Sequence, residues 1–167
     1  MMTFRTADLC DEHAADVRIC TAPFRSFGSK RSFCGPIQTV RTHEDAGLIR
    51  QCLQTPGQGR ILVVDGGGST RAAVLGDMLA GHAVRNGWQA VVVFGAVRDT
   101  DALAALDLGV IALGTTPRRG ALDGKGEIGV TLTLGDACFV PGHHLYYDAD
   151  GLIVSDRALP DQVEESA

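Results

Sequence analysis

Gly76-Asp77 and Arg98-Asp99 carry the most chemical promise in this chain, with two carboxylates and a guanidinium contributed by dipeptides that stand twenty residues apart. Carboxylate oxygens are ligands for hard divalent ions, and a guanidinium beside them is a fixed donor for an anionic or keto oxygen. Such a set can bind a metal and a keto acid, provided the two dipeptides meet. Residues 77–86 (DMLAGHAVRN) place Met78, Leu79, Ala83 and Val84 at helical spacing, and Asn86-Gly87 supplies a stop. Residues 90–94 (AVVVF), ended by Gly95, read as a buried strand. A strand also precedes the helix, either residues 60–65 (RILVVD) or a short piece near 72–75, and pattern leaves both open. If the helix crosses between parallel strands, its N-terminus and the end of the second strand share the sheet edge where open α/β sheets hold ligands.

The rest of the chain must build a domain around that unit. A length of 167 residues fits one domain that buries roughly 70% of its unfolded surface. We expect a single domain over 1–167, with an ordered core at about 4–156 and a short C-terminal tail. The formal net charge of -5 sets a nucleic-acid backbone against net repulsion, so direct nucleic-acid binding is not expected. Five scattered cysteines, none in a CxxC pair, argue against a disulfide framework or a zinc cluster. The acidic start and the short apolar run at 88–97 predict neither a signal peptide nor a membrane span, and a cytoplasmic location is expected.

Along the chain, residues 6–14 read as a short capped helix and 32–40 (SFCGPIQTV) as a strand interrupted by Gly35-Pro36. Thr42 with Asp45 can cap a helix running to about Leu53. Residues 100–106 suggest a helix, 110–113 a strand and 115–129 a polar, glycine-rich loop. The C-terminal part is strand-forming, at 130–134, 137–140, 143–147 and 152–155, with turns at Pro141-Gly142 and Asp150-Gly151. Residues after about Asp156 read as frayed. The order is mixed α and β, with a parallel centre and antiparallel C-terminal strands.

Several features attract functional readings that simpler chemistry outweighs. Asp65-Gly66-Gly67-Gly68-Ser69 follows an apolar strand, but the third glycine of a dinucleotide fingerprint is replaced by Arg71 and no GK[ST] follows. A strand-to-turn transition is the favoured reading. His143-His144 cannot chelate together on a strand, because neighbours face opposite ways. His82 reads as structural, and Asp148 with Asp150 is only a fragment of a calcium loop. Arg118-Arg119 follow Pro117 in the polar loop and read foremost as a solvated pair, with guidance of an anionic substrate as the alternative.

Taken in order, ILVVDGGGS (61–69), LGDMLA (75–80), AVRNGW (83–88), GAVRD (95–99), DLGVIALGTT (107–116) and HHLYYDADG (143–151) resemble the family of regulator of ribonuclease activity A and 4-hydroxy-4-methyl-2-oxoglutarate aldolase, the RraA-like proteins. The resemblance runs from about Thr6 to Ser155. It implies an α/β fold of the β/β/α swivelling, phosphohistidine-domain-like type, with a mixed sheet and antiparallel C-terminal strands. It also implies a ring-shaped homotrimer with sites at subunit boundaries, and a class II, divalent-metal-dependent pyruvate lyase. Such an enzyme cleaves 4-hydroxy-4-methyl-2-oxoglutarate or a related keto acid through a pyruvate enolate, and it also decarboxylates oxaloacetate.

In that likeness Asp99 matches the direct metal ligand and Asp77 the carboxylate that reaches the ion through water. Arg98 supplies positive charge beside the keto oxygen, and the substrate carboxylate rests on the helix start at Gly76, Met78 and Leu79. Arg98 and Asp77 are thus the catalytic candidates, and Mg2+ or Mn2+ is the expected cofactor. The rival class is a protein that regulates ribonuclease E by masking it. A minor rival is demethylmenaquinone methyltransferase, a label carried by some relatives, for which the glycine run makes a poor methyl-donor site. Longer aldolases of the family carry a C-terminal extension that adds an acidic residue across the subunit boundary. Here Glu164 and Glu165 stand near the end, which leaves the aldol substrate open and admits decarboxylation as the main reaction.

Overall fold

The computed structural model of the protein describes residues 3–160. The chain runs α1 (Thr6–Glu12), β1 (Val17–Cys20), β2 (Arg25–Ser26), β3 (Phe33–Arg41), α2 (Gly47–Leu53), β4 (Ile61–Asp65), β5 (Ala73–Leu75) and α3 (Asp77–Arg85). It continues with β6 (Ala90–Val97), α4 (Thr100–Leu103), β7 (Gly109–Thr115), β8 (Glu127–Ile128), β9 (Leu132–Leu134), β10 (Ala137–Phe139), β11 (His144–Asp148) and β12 (Gly151–Ser155). Ten strands form one mixed sheet in the order β1-β12-β11-β3-β4-β6-β7-β2, with β5 on β6 and β8 on β3, while β9 and β10 make a separate hairpin. The centre, β3-β4-β6-β7, is parallel and the β11-β12-β1 wing is antiparallel, as expected.

Alternation along the central strands explains their unbroken apolar runs. Leu62 and Val64 of β4, with Val91 and Val93 of β6, point into one core that α2 and α3 cover. Ile61, Val63, Ala90 and Val92 point into the opposite core, closed by Leu132, Phe139, Leu145 and Val154. Both faces of the central sheet are therefore covered, as parallel strands require. Leu9 of α1 packs with Tyr146 and Ile153 in a third, smaller cluster. The Thr6 amide donates to Asp148 Oδ2 (2.8 Å) and the Thr6 hydroxyl to Asp148 Oδ1 (2.6 Å). The cap of α1 thus arrives from a distant strand rather than from its own sequence.

Several boundaries differ from the sequence reading. Both candidate strands before α3 exist: β4 pairs with β6 at residues 90–94, and β5 takes over the same edge at Ala96 and Val97. Gly95 does not end β6. The ladder to β7 shifts register between Val93 and Ala96 and then resumes, and β6 runs on to Val97 paired with β7 on one side and β5 on the other. Gly35-Pro36 likewise leaves β3 continuous. The helix expected at 100–106 stops at Leu103, and α1 stops at Glu12. Residues 157–159 are fastened rather than frayed. Arg157 donates to Asp16 (3.0 Å), and the buried Leu159 donates its amide to the Tyr146 hydroxyl (2.8 Å). Glu164 and Glu165 lie outside the described residues. All five cysteines are free thiols, and no described helix is long and apolar enough to cross a membrane.

Candidate functional site

The unit β5-α3-β6 brings the two dipeptides together. Gly76 is the extended N-cap of α3 (φ -137°, ψ -167°), and Asp77 is the first helical residue. The Arg98 amide donates to Leu75 O (3.0 Å), locking the end of β6 beside the end of β5. The chain then turns at Asp99, which lies in the left-handed region (φ 59°, ψ 44°). Few residues other than glycine adopt that conformation, and aspartate and asparagine are those that tolerate it. As a result the Asp99 side chain swings back over α3, and the Asp77 amide donates to Asp99 Oδ2 (3.0 Å). The Arg98 Nε lies 4.0 Å from the same oxygen.

Gly76 is needed for space rather than for φ. A Cβ there would lie 2.6 Å from Asp99 Oδ2 and 3.4 Å from Arg98 Cγ and Nε. The bare backbone is what lets the carboxylate and the guanidinium close over the helix start. The Met78 and Leu79 amides precede the first bond of the helix ladder, Ala80 N–H to Gly76 O, and so belong to the donors a helix start leaves for a ligand.

These residues line a cleft of about 180 Å³ that contains Gly76, Asp77, Met78, Leu79, Arg98 and Asp99, every site residue drawn from the sequence. The cleft also holds residues the sequence reading did not place. Arg50 and Ala46 arrive through the packing of α2 on α3, and Leu122 arrives from the loop after β7. Arg119 lines the cleft and Arg118 is absent from its wall, which separates the pair that sequence treated alike. His82 lines it too, and its Nδ1 accepts a bond from Arg85 (2.9 Å). Backbone pairing of this kind has no sequence period, so only the basic residues near Pro117 hinted at it.

The donor set suits a hard, oxygen-loving ion. The Asp77 carboxylate has no partner among the described residues, and of Asp99 only Oδ2 is engaged. No group of three or more His, Cys, Asp or Glu side chains gathers among the described residues. A sparse, all-carboxylate set fits magnesium-like ions, which keep several waters, better than zinc, which wants four nitrogen or sulfur ligands.

The glycine run serves the fold. Gly66 and Gly68 amides both donate to Phe94 O (3.0 and 3.1 Å), and the Gly67 amide donates to Asp65 Oδ1 (2.9 Å). Gly67 and Gly68 have positive φ. The loop is closed by Ser69 and Arg71 bonding Glu44 Oε1 (2.7 and 2.8 Å), which also hold the Glu44 carboxyl below its usual range. The three glycine amides are thus spent on acceptors within the chain.

An α/β protein with a carboxylate pair and an arginine at a crossover-helix start is one step from a family, and comparison supplies it. The Aldolase/RraA family model matches residues 6–154, and this chain belongs to that RraA-like family. An Aromatoleum aromaticum protein provisionally named 4-hydroxy-4-methyl-2-oxoglutarate aldolase is 46% identical, covering 95% of this chain and 99% of its own. A solved Geobacillus kaustophilus structure, named as an S-adenosylmethionine:2-dimethylmenaquinone methyltransferase, superimposes with a TM-score of 0.92 at 44% identity, covering 93% and 97% of the two chains. The RNA-processing inhibitor RraA of a Thermus species superimposes at 0.91 with 42% identity and covers 98% of both chains. Three kinds of name thus sit on one fold, and the site has to choose among them.

Proposed function

We propose that the protein is a divalent-metal-dependent pyruvate lyase, acting by retro-aldol cleavage on 4-hydroxy-4-methyl-2-oxoglutarate or a related keto acid and decarboxylating oxaloacetate. The observation that carries this reading is the closure of Asp99 and Arg98 over the start of α3, with Asp77 left unpartnered beside them. Asp99 would hold Mg2+ or Mn2+ directly and Asp77 through water. When bound, the ion supplies Lewis acidity to the keto and carboxylate oxygens of the substrate.

The chain's own groups do the rest. The first-turn amides of Met78 and Leu79 receive the substrate carboxylate with the favourable end of the α3 dipole, and Gly76 leaves the approach open. Arg98 faces the keto oxygen, where negative charge grows as the carbon–carbon bond breaks. In the aldol case the bond between C3 and C4 breaks, the C4 hydroxyl becomes a carbonyl, and its proton passes to a water held by Asp77. The electron pair moves into the pyruvate enolate, which is then protonated at C3. In oxaloacetate the same electron pair arrives as carbon dioxide leaves, so one site serves both reactions.

A homotrimer with sites at subunit boundaries completes the proposal, supported by Met78, which is 77% exposed at the mouth of the cleft. The second reading, a protein that binds and restrains ribonuclease E, is favoured by the Thermus relative. The methyltransferase reading has the Geobacillus relative behind it, but the engaged amides of the glycine run offer it no methyl-donor pocket.

The deciding experiment measures pyruvate release from oxaloacetate and from 4-hydroxy-4-methyl-2-oxoglutarate, with magnesium, manganese or chelator. Asp99→Asn keeps an oxygen for the Asp77 amide and a residue type tolerant of the left-handed region, so it should fold normally and lose about a hundredfold or more in turnover. Folded, metal-loaded protein that turns over neither substrate would overturn the lyase reading and transfer its weight to ribonuclease binding.

A further inference from the structure

One apolar wall of the cleft comes from a segment that buries almost nothing of its own. Residues 121–129, which lead from the end of the cleft loop through β8, are all exposed. Leu122 in this segment is 39% exposed and lines the cleft. Gly124 (φ 81°) and Gly126 (φ 128°) add backbone freedom on its far side. A segment with so little buried surface is placed by its hydrogen bonds rather than by packing.

Those bonds converge on Asp45, which is 2% exposed. Its Oδ1 accepts the amides of Gly47 (2.8 Å) and Gly124 (3.1 Å), and its Oδ2 accepts the amide of Lys125 (3.2 Å). Asp45 also bridges in parallel to Ala121, while the Ala46 amide donates to Ala121 O (2.8 Å) and the Thr42 hydroxyl to Lys125 O (2.8 Å). The segment lies directly on the start of α2, since a Cβ on Gly47 would be 2.6 Å from Gly124 Cα. Asp45 is absent from the cleft lining and stands behind it, where one carboxylate sets the spacing between Ala46 and Leu122 on the cleft wall. The mechanism above makes no use of this buried acid.

We propose that Asp45 is a positioning residue, holding Leu122 against the cleft so that the part of the substrate beyond the pyruvate unit meets a fixed apolar wall. The assignment rests on the lyase reading and deepens it. In that reading the pyruvate unit seats at the start of α3, away from the segment Asp45 holds. The aldol substrate carries a second unit beyond C3, and that unit needs the wall in place before binding.

The test uses wild type, Asp45→Asn and Gly47→Ala, each with saturating magnesium and well below its melting temperature. Asp45→Asn keeps an oxygen for Gly47 and Gly124 but turns a donor toward the Lys125 amide. Gly47→Ala leaves the carboxylate intact and drives a Cβ into Gly124, so it moves the same segment by a different route. Three quantities are read: KM and kcat for 4-hydroxy-4-methyl-2-oxoglutarate, deuterium exchange at C3 of pyruvate, and hydrogen exchange at the Gly124 and Lys125 amides. Both variants should speed amide exchange and raise KM about tenfold, with kcat within about threefold and pyruvate exchange at the wild-type rate. If one variant fails to fold, the other carries the same comparison. Amides that exchange faster at an unchanged KM would overturn the positioning role and leave the lyase reading standing. So would pyruvate exchange that falls as far as kcat/KM does, or amide exchange that stays at the wild-type rate. Wild type that neither cleaves the aldol nor exchanges pyruvate would overturn the lyase reading, and this assignment with it.

Discussion

Asp99 does two things with one side chain, and its backbone conformation is the reason. The left-handed turn at the end of β6 aims the carboxylate back at the start of α3, where Oδ2 accepts the Asp77 amide and Oδ1 stays available. Gly76 is the other half of the arrangement, since any Cβ would occupy the space of that carboxylate. Gly76→Ala should therefore leave the fold nearly as stable, within about 1 kcal/mol, because its φ suits any residue. It should nonetheless cost roughly a hundredfold in kcat/KM, because Asp99 and Arg98 must both retreat. Thermal melts read beside turnover separate those two effects. The four residues of the two dipeptides could be picked out from the sequence because their types carry the chemistry and a crossover helix forces them to converge. The left-handed backbone of Asp99 was not legible, since no local residue pattern demanded it.

At the scale of elements, periodic segments were readable and borrowed ones were not. Helix α3 and strands β4 and β12 lie within a residue or so of where apolar spacing puts them. Strand β6 runs past Gly95 because β5 and β7 both pair with Ala96 and Val97, and α1 is capped by Asp148 from β11. Arg50, Leu122 and Arg119 reach the cleft through helix packing and loop bridges that leave no period in the sequence. The loop after β7 is held by Asp45, which is buried, with its Oδ1 accepting the amides of Gly47 (2.8 Å) and Gly124 (3.1 Å) and Oδ2 accepting Lys125 (3.2 Å). Burial alone would raise its pKa, but these backbone amides outweigh it and hold the carboxyl below the ordinary range. A carboxyl lowered by folding contributes stability above its unfolded pKa and loses it as pH falls through the folded value. Asp45→Asn should thus destabilise by about 1–3 kcal/mol at neutral pH, with the gap to wild type narrowing in acid. Denaturant titrations of both proteins from neutral to strongly acidic pH measure it.

For the whole molecule, the central sheet is covered on both faces, while the cleft opens at an edge where Met78 and Leu122 remain exposed. Large exposed apolar side chains beside a site are expected where another subunit meets it. The proposed homotrimer predicts three times the monomer mass of 17.6 kDa in sedimentation, and Met78→Asp should shift the protein toward smaller species. A monomer in wild type would refute the boundary placement while leaving the residues of the cleft where they are.

The bond from the Asp77 amide to Asp99 also makes the backbone a witness to occupancy. Any ion that takes charge from the Asp99 carboxylate weakens what that amide feels, so one nitrogen–hydrogen pair registers the filling of the site. In a magnetic resonance spectrum that single peak would move with bound metal even in a variant that has lost all turnover. Under the proposed metal binding, the amide one residue past Gly76 would serve as the protein's own indicator.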